Sequence, residues 1–279
     1  MNLENAHVLL TGASGGLGSA TARALIARGA VPILSGRNQR RLQQLADSLA
    51  SAGQRPEILV ADWSQDAGRQ ALITRVQQTN NPVSGVILNA GINHFGSFEE
   101  QSAEQLQQTL LTDLVAPALL AHGMLPALKG REGSCLLFVG STFGRLGHPG
   151  FAAYASAKHG LHGLAKALRR ESAGSGLRIA EVHPRAMHTE MTTPDIAAVN
   201  RAQGASVDSP ESIAAQLVRS LETGRNHWQA GWPERLFVLL DQRLPGLLDR
   251  VLGGRWPALR QAAYEARSAP SAAHPSPTL

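Results

Sequence analysis

A glycine-rich turn near the start of the chain joins an apolar run to a helix-forming segment, and it constrains the fold more than any other feature. The apolar run is HVLL at residues 7–10, the turn is TGASGGLG at 11–18, and helix formers continue to Arg28. Such a short apolar run is typical of a buried parallel strand. Glycines let the backbone turn tightly and approach a pyrophosphate, which the amides at a helix N-terminus can bind. The segment therefore predicts a βα unit whose turn can hold a nucleotide.

The sequence YASAK at residues 154–158 places a phenol and an ammonium four positions apart. Residues at i and i+4 share one face of a helix, so Lys158 is expected beneath Tyr154. An ordinary tyrosine has a pKa of about 10 and is a poor acid at neutral pH. A neighbouring cation favours the phenolate and lowers the pKa of the tyrosine. The pair predicts an acid–base group, although by itself it also describes a common solvated helix pair.

Three further motifs stand in order along the chain. The sequence NAG at residues 89–91 follows the apolar run 86–88, Ser141 stands 13 positions before Tyr154, and residues 184–189 read PRAMHT. Together with the TGxxxGxG turn, these motifs resemble the short-chain dehydrogenase/reductase family over residues 5–230. Other Rossmann enzymes use GxGxxG instead.

The resemblance implies hydride transfer between a nicotinamide cofactor and a carbonyl or alcohol substrate. Tyr154 would give its proton to the carbonyl oxygen, Ser141 would hold that oxygen, and Lys158 would lower the pKa of Tyr154 and bind the nicotinamide ribose. With Asp113, these are the candidate catalytic residues. The residues expected to contact the cofactor are Gly12, Ser14, Gly16, Leu17, Gly18, Arg37, Asp62, Asn89, Ala90, Gly91, Tyr154, Lys158, Pro184 and Thr189.

The end of the second predicted strand decides the expected choice between NAD and NADP. Enzymes that prefer NAD usually place a carboxylate about 20 residues past the glycine turn, on the ribose 2′-hydroxyl. This chain has Gly36 and Arg37 there, so no carboxylate repels a 2′-phosphate and a guanidinium can bind one. NADP(H) is therefore the expected cofactor. Asp62 resembles the family's acidic contact to the adenine, and the alternative is a helix N-cap before residues 64–79.

Two positions depart from the family pattern. Asp113 stands where the family usually has an asparagine, which is thought to hold a water that links the lysine to solvent. An ionised carboxylate cannot donate a hydrogen bond, but its charge near Lys158 would favour the ammonium. An altered pH profile, an impaired proton relay and a misread register all remain open. Arg185 replaces a common glycine, and the sequence leaves open whether it faces the cofactor phosphates, the substrate mouth or solvent.

Composition and charge narrow the functional class. The 279 residues are 43% hydrophobic, which is enough for one large α/β core. A net charge of +5 favours anionic ligands, but the aromatic content is 4% and no basic run exceeds two residues. A nucleic-acid partner is therefore not expected.

Several features favour a cytoplasmic location. The lone Cys135 cannot form an intrachain disulfide, which favours a reducing compartment. The first predicted strand begins within about seven residues and leaves no room for a signal peptide. No apolar run is expected to reach the roughly 18 residues that span a bilayer.

Alternating strand and helix patterns predict a single Rossmann-like, doubly wound α/β domain with a mostly parallel seven-stranded sheet. The predicted strands are residues 6–10, 31–35, 57–61, 84–88, 134–140 and 177–182, with a seventh near 227–230 from the family resemblance. The predicted helices are residues 16–28, 38–52, 65–79, 102–129 and 152–173. The expected division is a Rossmann domain over 1–232, an amphipathic helical extension over 233–267 and a disordered tail over 268–279, where small residues and proline dominate.

The extension is predicted to form two short amphipathic helices broken at Pro245 and Gly246, with Trp228, Trp232 and Trp256 beside them. It could cover the substrate pocket, pack on a partner subunit or lie on a membrane surface beside a lipophilic substrate. By resemblance, the helix over 102–129 would be the interface of a homodimer or homotetramer. An intramolecular core face is the alternative.

The residues that select the substrate are expected in loops near 92–98, 143–151 and 185–205. The apolar side chains there that predict an apolar pocket are Phe95, Phe98, Phe143, Phe151, Met187 and Met191. The loop histidines are more often solvated than bound to substrate in such a setting, and they are His94, His148, His183 and His188. His159 and His162 are three apart, but no further ligand is placed near them, so no metal is expected.

The expected function is an NADP(H)-dependent oxidoreductase of the class that acts on alcohol and carbonyl groups, with an apolar or lipid-like substrate. One alternative is a catalytically weak NADP-binding sensor or scaffold, which Asp113 and Arg185 motivate and the intact Ser141, Tyr154 and Lys158 oppose. The second alternative is a 3-oxoacyl carrier-protein reductase. The basic surface fits an acidic carrier protein, but the long extension is atypical of that group.

Overall fold

The computed structural model describes residues 1–50, 55–229 and 231–268. Its centre is a seven-stranded sheet of order β3-β2-β1-β4-β5-β6-β7, in which every neighbouring pair is parallel. The strands are β1 His7–Thr11, β2 Val31–Gly36, β3 Glu57–Val60, β4 Val83–Leu88, β5 Cys135–Val139, β6 Arg178–His183 and β7 His227–Gln229. The predicted doubly wound, Rossmann-like fold is confirmed.

Ten α-helices in the described ranges flank the sheet or follow it. They are α1 Gly16–Ile26, α2 Gln39–Ala50, α3 Asp66–Gln77, α4 Ala103–Leu110, α5 Ala116–Lys129, α6 Ala152–Glu171, α7 Pro194–Ala202, α8 Pro210–Thr223, α9 Glu234–Arg243 and α10 Pro245–Ser268. Sequence reasoning missed α7 and α8. Each begins with a cap residue followed by proline and an acid, Thr193-Pro194-Asp195 and Ser209-Pro210-Glu211, which is a recognisable helix start.

The predicted helix over 102–129 is interrupted by a π-helical turn, Leu111–Val115, between α4 and α5. The whole stretch Ala103–Lys129 has 27 residues and is apolar enough to cross a membrane by length and composition. This differs from the expectation that no segment reaches that length. In the fold the stretch packs on α3, α6 and strands β4 and β5, as a helix of the sheet's covering layer does.

Two apolar layers cover the two faces of the sheet because alternate strand residues point in opposite directions. Val8 and Leu10 of β1 face the layer of α1, α2 and α8, whereas Leu9 faces the layer of α3, α5 and α6. Cys135 is fully buried in β5, and burial raises the pKa of its thiol to about 11. The thiol therefore stays protonated at neutral pH, as expected of a core residue.

The sheet brings the carboxyl ends of β1 and β4 side by side. The chain leaves β1 towards β2 and enters β4 on its other side, so the connecting helices lie on opposite faces. Open α/β sheets bind their ligands in the crevice at such a switch point. The glycine turn after β1 and the NAG motif after β4 lie at this crevice.

The C-terminal helices pack on the Rossmann core. Val238 of α9 and Leu248 of α10 are buried together with Leu146, and α10 continues along α7. The break between the two helices falls at Leu244, one residue before the predicted one, and α10 is 24 residues long rather than short. Of the tail predicted to be disordered, Ser268 ends α10, and residues 269–279 lie outside the described residues.

Candidate active site

Two glycines of the turn after β1 cannot be replaced without moving the backbone. Gly12 has φ +65°, and a Cβ there would lie 2.8 Å from the Cα of Ala90. A Cβ on Gly18 would lie 2.1 Å from the carbonyl oxygen of Gly12. No side chain among the described residues caps α1 at Gly15, and the first turn of α1 holds no acid. Its first amides and positive dipole end are therefore available to an anion.

Gly16 is required by a different contact. A Cβ on Gly16 would lie 2.8 Å from the Cγ2 atom of Thr189, so the segment after β6 crosses directly over the turn. Ser14 reaches the end of β2, where its Oγ would lie 3.6 Å from a Cβ on Gly36. Arg37 follows Gly36 and is exposed at this edge. The turn, the end of β2 and Thr189 thus line one crevice, while Leu17 is buried behind it.

Asn89 ties the end of β4 to the glycine turn. Its Nδ2 donates to the carbonyl oxygens of Thr11, at 3.0 Å, and Gly12, at 3.3 Å. The Oγ1 of Thr11 accepts from the amides of Asn89, at 3.0 Å, and Ala90, at 3.2 Å. These bonds hold the ends of β1 and β4 in register. The NAG motif therefore has a structural role in supporting the glycine turn, in addition to any contact with a ligand.

Asp62 follows β3 at the same edge of the sheet. Its Oδ1 accepts from the amide of Ser64, at 3.0 Å, and from the Ser64 hydroxyl, at 2.7 Å. The N-cap residue of α3 is Gln65, so the alternative in which Asp62 caps that helix is wrong. The second carboxylate oxygen, Oδ2, takes no part in this local turn.

A buried ion pair joins the π-helical turn to α6. Asp113 has no exposed side-chain surface, its Oδ1 accepts from the amide of Ile92 at 2.8 Å, and its Oδ2 lies 3.2 Å from the Nζ of Lys158. The same Nζ donates to the carbonyl oxygen of Val139 at 3.3 Å. π-Helical turns often occur at functional sites, and this one carries the carboxylate to the lysine. The structure therefore places Asp113 in the predicted position.

Tyr154 and Ser141 lie beside this pair. The Nζ of Lys158 is 5.5 Å from the centre of the Tyr154 ring, as the i,i+4 spacing predicts. Ser141 follows β5, and its Oγ accepts from the amide of Phe143 at 3.1 Å, which fixes the side chain. Ser141, Tyr154, Lys158 and Asp113 are thus brought together from three separate segments of the chain.

The electrostatics of the tyrosine differ from the expectation. Burial raises the pKa of Tyr154, the Lys158 ammonium opposes this, and the Asp113 carboxylate adds to it, so the pKa lies above its ordinary value. The prediction of a lowered pKa is wrong for this state because it ignored burial. For Lys158, burial lowers the pKa, but the charge of Asp113, the charge of the Tyr154 phenolate and the hydrogen bond with Asp113 together outweigh burial and leave the pKa raised. Asp113 therefore keeps the ammonium charged, as predicted.

Aromatic side chains form a wall next to Tyr154. Phe95 meets Phe151 edge-on with ring centres 5.1 Å apart, and Phe143 lies 4.9 Å from Phe151. Trp256 of α10 lies 5.9 Å from Phe95. Trp256 and its contact with Phe95 were not predicted as part of the pocket. The C-terminal extension therefore contributes to this wall, whose members pack in one apolar cluster with Ile196 and Val199 of α7.

Other residues of the predicted apolar pocket lie elsewhere. Phe98 is 58% exposed, Met191 is exposed, and Met187 packs on the core layer of α1 and α8. Two loop histidines expected to be solvated, His148 and His183, are buried. His148 is fixed against the wall, stacked on Phe143 at 4.8 Å.

Arg185 takes none of the three roles left open for it. Its guanidinium binds both carboxylate oxygens of Asp208, at 2.8 and 3.0 Å, and lies 3.1 Å from Glu234 at the start of α9. It also donates to the carbonyl oxygen of Trp232 at 3.3 Å. Arg185 lies in the segment that crosses the glycine turn. It connects this segment to Asp208, before α8, and to Glu234, at the start of α9.

Comparison with known proteins agrees with this geometry. The uncharacterized oxidoreductase YmfI of Bacillus subtilis is 32% identical over 189 residues, which cover 67% of this chain and 77% of YmfI. The 3-oxoacyl acyl-carrier-protein reductase FabG of Escherichia coli is 31% identical over 192 residues, which cover 69% of this chain and 78% of FabG.

A solved structure extends the likeness to the C-terminal part. The structure of a short-chain dehydrogenase from Sphingobium yanoikuyae in complex with NADPH superposes with a TM-score of 0.71 at 24% identity, and the match covers 98% of this chain and 99% of that one. The family model for short chain dehydrogenases matches residues 6–200. This chain belongs to the short-chain dehydrogenase family.

Proposed function

We propose that the protein is an NADP(H)-dependent oxidoreductase that interconverts a carbonyl compound and its alcohol. The observation that carries the proposal is the buried Lys158, held by Asp113 beneath Tyr154 and beside Ser141 at the carboxyl ends of the strands. A binding protein has no need for all of these groups together. The nicotinamide, when bound, would supply or accept the hydride.

The residues around the crevice fit such a cofactor. The backbone amides of the glycine turn would bind the pyrophosphate. Only glycine fits this turn at positions 12 and 18. The exposed Arg37 would bind a 2′-phosphate, and Asp62 would contact the adenine. The other residues proposed to contact the cofactor are Ser14, Gly16, Leu17, Asn89, Ala90, Gly91, Tyr154, Lys158, Pro184 and Thr189. The related S. yanoikuyae enzyme solved with NADPH supports this assignment.

The side chains have distinct roles in the proposed reduction. The Tyr154 hydroxyl gives its proton to the carbonyl oxygen, and the charged Lys158 stabilises the phenolate that remains. The Ser141 hydroxyl donates a hydrogen bond to the same oxygen. Tyr154 is partly buried against the aromatic wall, which shields one side of the residue from water.

The proposed substrate is apolar or lipid-like. The wall of Phe95, Phe143, Phe151 and Trp256 beside Tyr154 supports this class. A 3-oxoacyl carrier-protein reductase is the second candidate, because FabG is 31% identical and the net charge of +5 suits an acidic carrier. The remaining alternative, an NADP sensor, would bind NADPH and turn over no carbonyl compound.

We propose that α4 and α5 form the interface of a homodimer or homotetramer. Leu110, Val115 and Leu119 are partly exposed along this stretch although they are apolar. Their exposure supports a partner face, because apolar side chains are normally buried when a surface is available to cover them.

We also propose that the extension contacts an anionic bilayer inside a reducing, cytoplasmic compartment. Apolar side chains stay exposed on α9 and the start of α10, and arginines lie among them. The apolar residues are Leu236, Leu239, Leu244, Leu247 and Val251, and the arginines are Arg235, Arg243 and Arg250. This pattern is typical of helices that lie at a membrane surface. Pocket cover and membrane contact are compatible, since Trp256 and Leu259 lie further along α10.

Replacing Tyr154 with Phe should lower kcat by about 10²- to 10⁴-fold, because it removes the general acid. NADPH oxidation would be followed with a panel of ketones and medium-chain 3-oxoacyl thioesters. NADPH binding, followed by nicotinamide fluorescence, should weaken far less than kcat falls, because phenylalanine keeps the ring and loses only the hydroxyl. The control is Tyr264→Phe, since Tyr264 is 66% exposed on α10. Retained turnover in Tyr154→Phe would contradict the mechanism, and NADPH binding by wild type without turnover on any compound would favour the sensor.

Replacing Arg37 with Ala should raise the Kd for NADPH by about 10- to 100-fold, because the change removes a charge-assisted hydrogen bond to the 2′-phosphate. The Kd for NADH should not change, because NADH lacks the 2′-phosphate. Arg40→Ala, exposed on α2, is the matched control and should bind both as wild type does. Equal weakening for the two nucleotides would show that Arg37 does not read the phosphate.

Replacing Asp113 with Asn should shift the pH profile of alcohol oxidation to lower pH. The carboxylate raises the pKa of Tyr154, so its removal lowers that pKa, and the phenolate needed for oxidation forms at lower pH. The measurement is kcat/KM against pH, with the surface variant Asp66→Asn as the control. A profile that stays in place or moves to higher pH would contradict the role of Asp113.

The double variant Leu239→Glu/Leu247→Glu should abolish flotation with liposomes that contain phosphatidylglycerol. Both side chains are about half exposed, at 49% and 51%, so the fold should tolerate the change. Gln70→Glu/Gln77→Glu, on the exposed side of α3, adds the same charge elsewhere and should still float. If wild type does not float, or both variants float alike, the extension does not bind the bilayer.

A further inference from the structure

A buried cluster of imidazoles surrounds one carboxylate behind Ser141, and the proposed reaction does not use it. Glu181 and His183 are two apart on β6 and point to the same face of the sheet. His162 comes from α6, one helical turn after Lys158. Glu181 and His183 are fully buried and the His162 side chain is 20% exposed. His162 is far from the other two residues in sequence, and only the packing of β6 against α6 brings the three together.

The hydrogen bonding of His183 leaves a lone pair that faces a carboxylate. The Nδ1 of His183 lies 3.0 Å from the carbonyl oxygen of Ser141, which can only accept, so Nδ1 carries the hydrogen. In a neutral ring Nε2 then has a lone pair, and it lies 3.0 Å from Oε1 of Glu181. This contact lacks hydrogen-bond geometry, and Nε2 has no hydrogen-bond partner among the described residues. The Nε2 lone pair and the negatively charged Oε1 repel each other at this distance. A cation bound between the two atoms would turn this repulsion into attraction.

A third ligand atom lies at the same place. The Nδ1 of His162 donates to Glu181, at 3.0 Å to Oε1 and 2.9 Å to Oε2. It would offer a lone pair to an ion once its hydrogen moves to Nε2, the other tautomer of the neutral ring. The ligand atoms of His162, Glu181 and His183 all lie within 4.8 Å of one another. Ligands that bind zinc at about 2.0–2.2 Å in a tetrahedron stand roughly 3.3 Å apart, so the contacts of 2.9 and 3.0 Å would widen by a few tenths of an ångström around an ion.

We propose that His162, Glu181 and His183 bind a divalent transition cation of the zinc type. Two imidazoles and one carboxylate form a ligand set that such ions accept, with a water in the remaining position. The hydrogen bond from His183 to the Ser141 carbonyl fits, because a histidine that binds a metal usually donates its other N–H to such a group.

The neighbouring His227 is not a ligand in this arrangement. Arg145 donates to the Nε2 of His227 at 2.8 Å, so a neutral His227 carries its hydrogen on Nδ1. That atom is 4.0 Å from Oε2 of Glu181. Arg169 lies 3.8 Å from the same oxygen, and both residues border the carboxylate without taking a place in the ligand set.

The bound ion would stabilise the backbone of the active site. It would fix His183, and His183 holds the carbonyl of Ser141, whose hydroxyl is proposed to bind the substrate oxygen. The ion itself would remain behind the strand and would not touch the substrate. The expected readouts are therefore metal binding and thermal stability rather than loss of the reaction.

The test uses the full chain without a polyhistidine tag, stripped of metal by a chelator that is then removed. Titration with Co²⁺ should give the visible absorption bands of tetrahedral cobalt at one ion per chain, and Zn²⁺ should displace them. Zn²⁺ should also raise the melting temperature, because an ion that binds only the folded state stabilises the folded state. In His162→Gln the Co²⁺ affinity should fall by more than the roughly 10- to 100-fold that loss of an outer-shell partner causes, and the shift in melting temperature should disappear.

The matched control is His159→Gln on the same helix, whose exposed ring lies near the carbonyl of Ala155 at 2.8 Å. It should bind Co²⁺ as wild type does. Circular dichroism would verify that His162→Gln is folded, so the test does not depend on variants of the fully buried Glu181. Absence of tetrahedral bands, or equal binding by wild type and His162→Gln, would overturn the proposal and leave the cluster as a protonated imidazole paired with a carboxylate.

Discussion

The buried pair of Asp113 and Lys158 is the interaction on which the site depends. Two opposite charges with almost no solvent contact are costly to bury, and additional hydrogen bonds offset part of that cost. Oδ1 of Asp113 accepts from the Ile92 amide, and Lys158 donates to the Val139 carbonyl. Oδ2 of Asp113 lies 3.2 Å from the ammonium but makes no hydrogen bond of good geometry among the described residues. Ile92 and Val139 belong to the segments after β4 and at the end of β5, so one ion pair holds three segments around Tyr154.

The same pair explains why the helix after β4 is irregular. An unbroken α-helix over 103–129 would have one hydrogen-bonding pattern throughout, whereas the π-helical turn adds a residue where the chain passes Lys158. A wide turn lets Asp113 point inwards while Leu110 and Val115 on either side remain exposed. The π-helical turn, the buried Asp113 and the exposed apolar residues Leu110 and Val115 thus occur together in one segment.

The parts of the molecule that depend on local patterns could be predicted from sequence. The six strands predicted from apolar runs agree with described strands to within one residue, since buried parallel strands are continuous apolar runs. The seventh was predicted from the family resemblance. The glycine turn follows from its sequence between an apolar run and a helix-forming segment, and Ser141, Tyr154 and Lys158 follow from their match to the family pattern. Contacts between distant segments could not be predicted in this way. Arg185 with Glu234, Trp256 with Phe95 and His162 with Glu181 each depend on how elements pack, and the pKa of Tyr154 depends on burial.

Because Trp256 forms part of the aromatic wall, an exchange of chain segments between related proteins could change the pocket without changing the proposed catalytic residues. The proposed catalytic residues lie within the first 158 positions, but part of the wall is supplied about a hundred residues later. A chimaera that took residues 1–200 from this chain and the remainder from a shorter relative would inherit the chemistry and lose one side of the pocket. If the proposed pocket selects the substrate, both segments must be transferred together, because exchange of one alone would separate reactivity from selectivity.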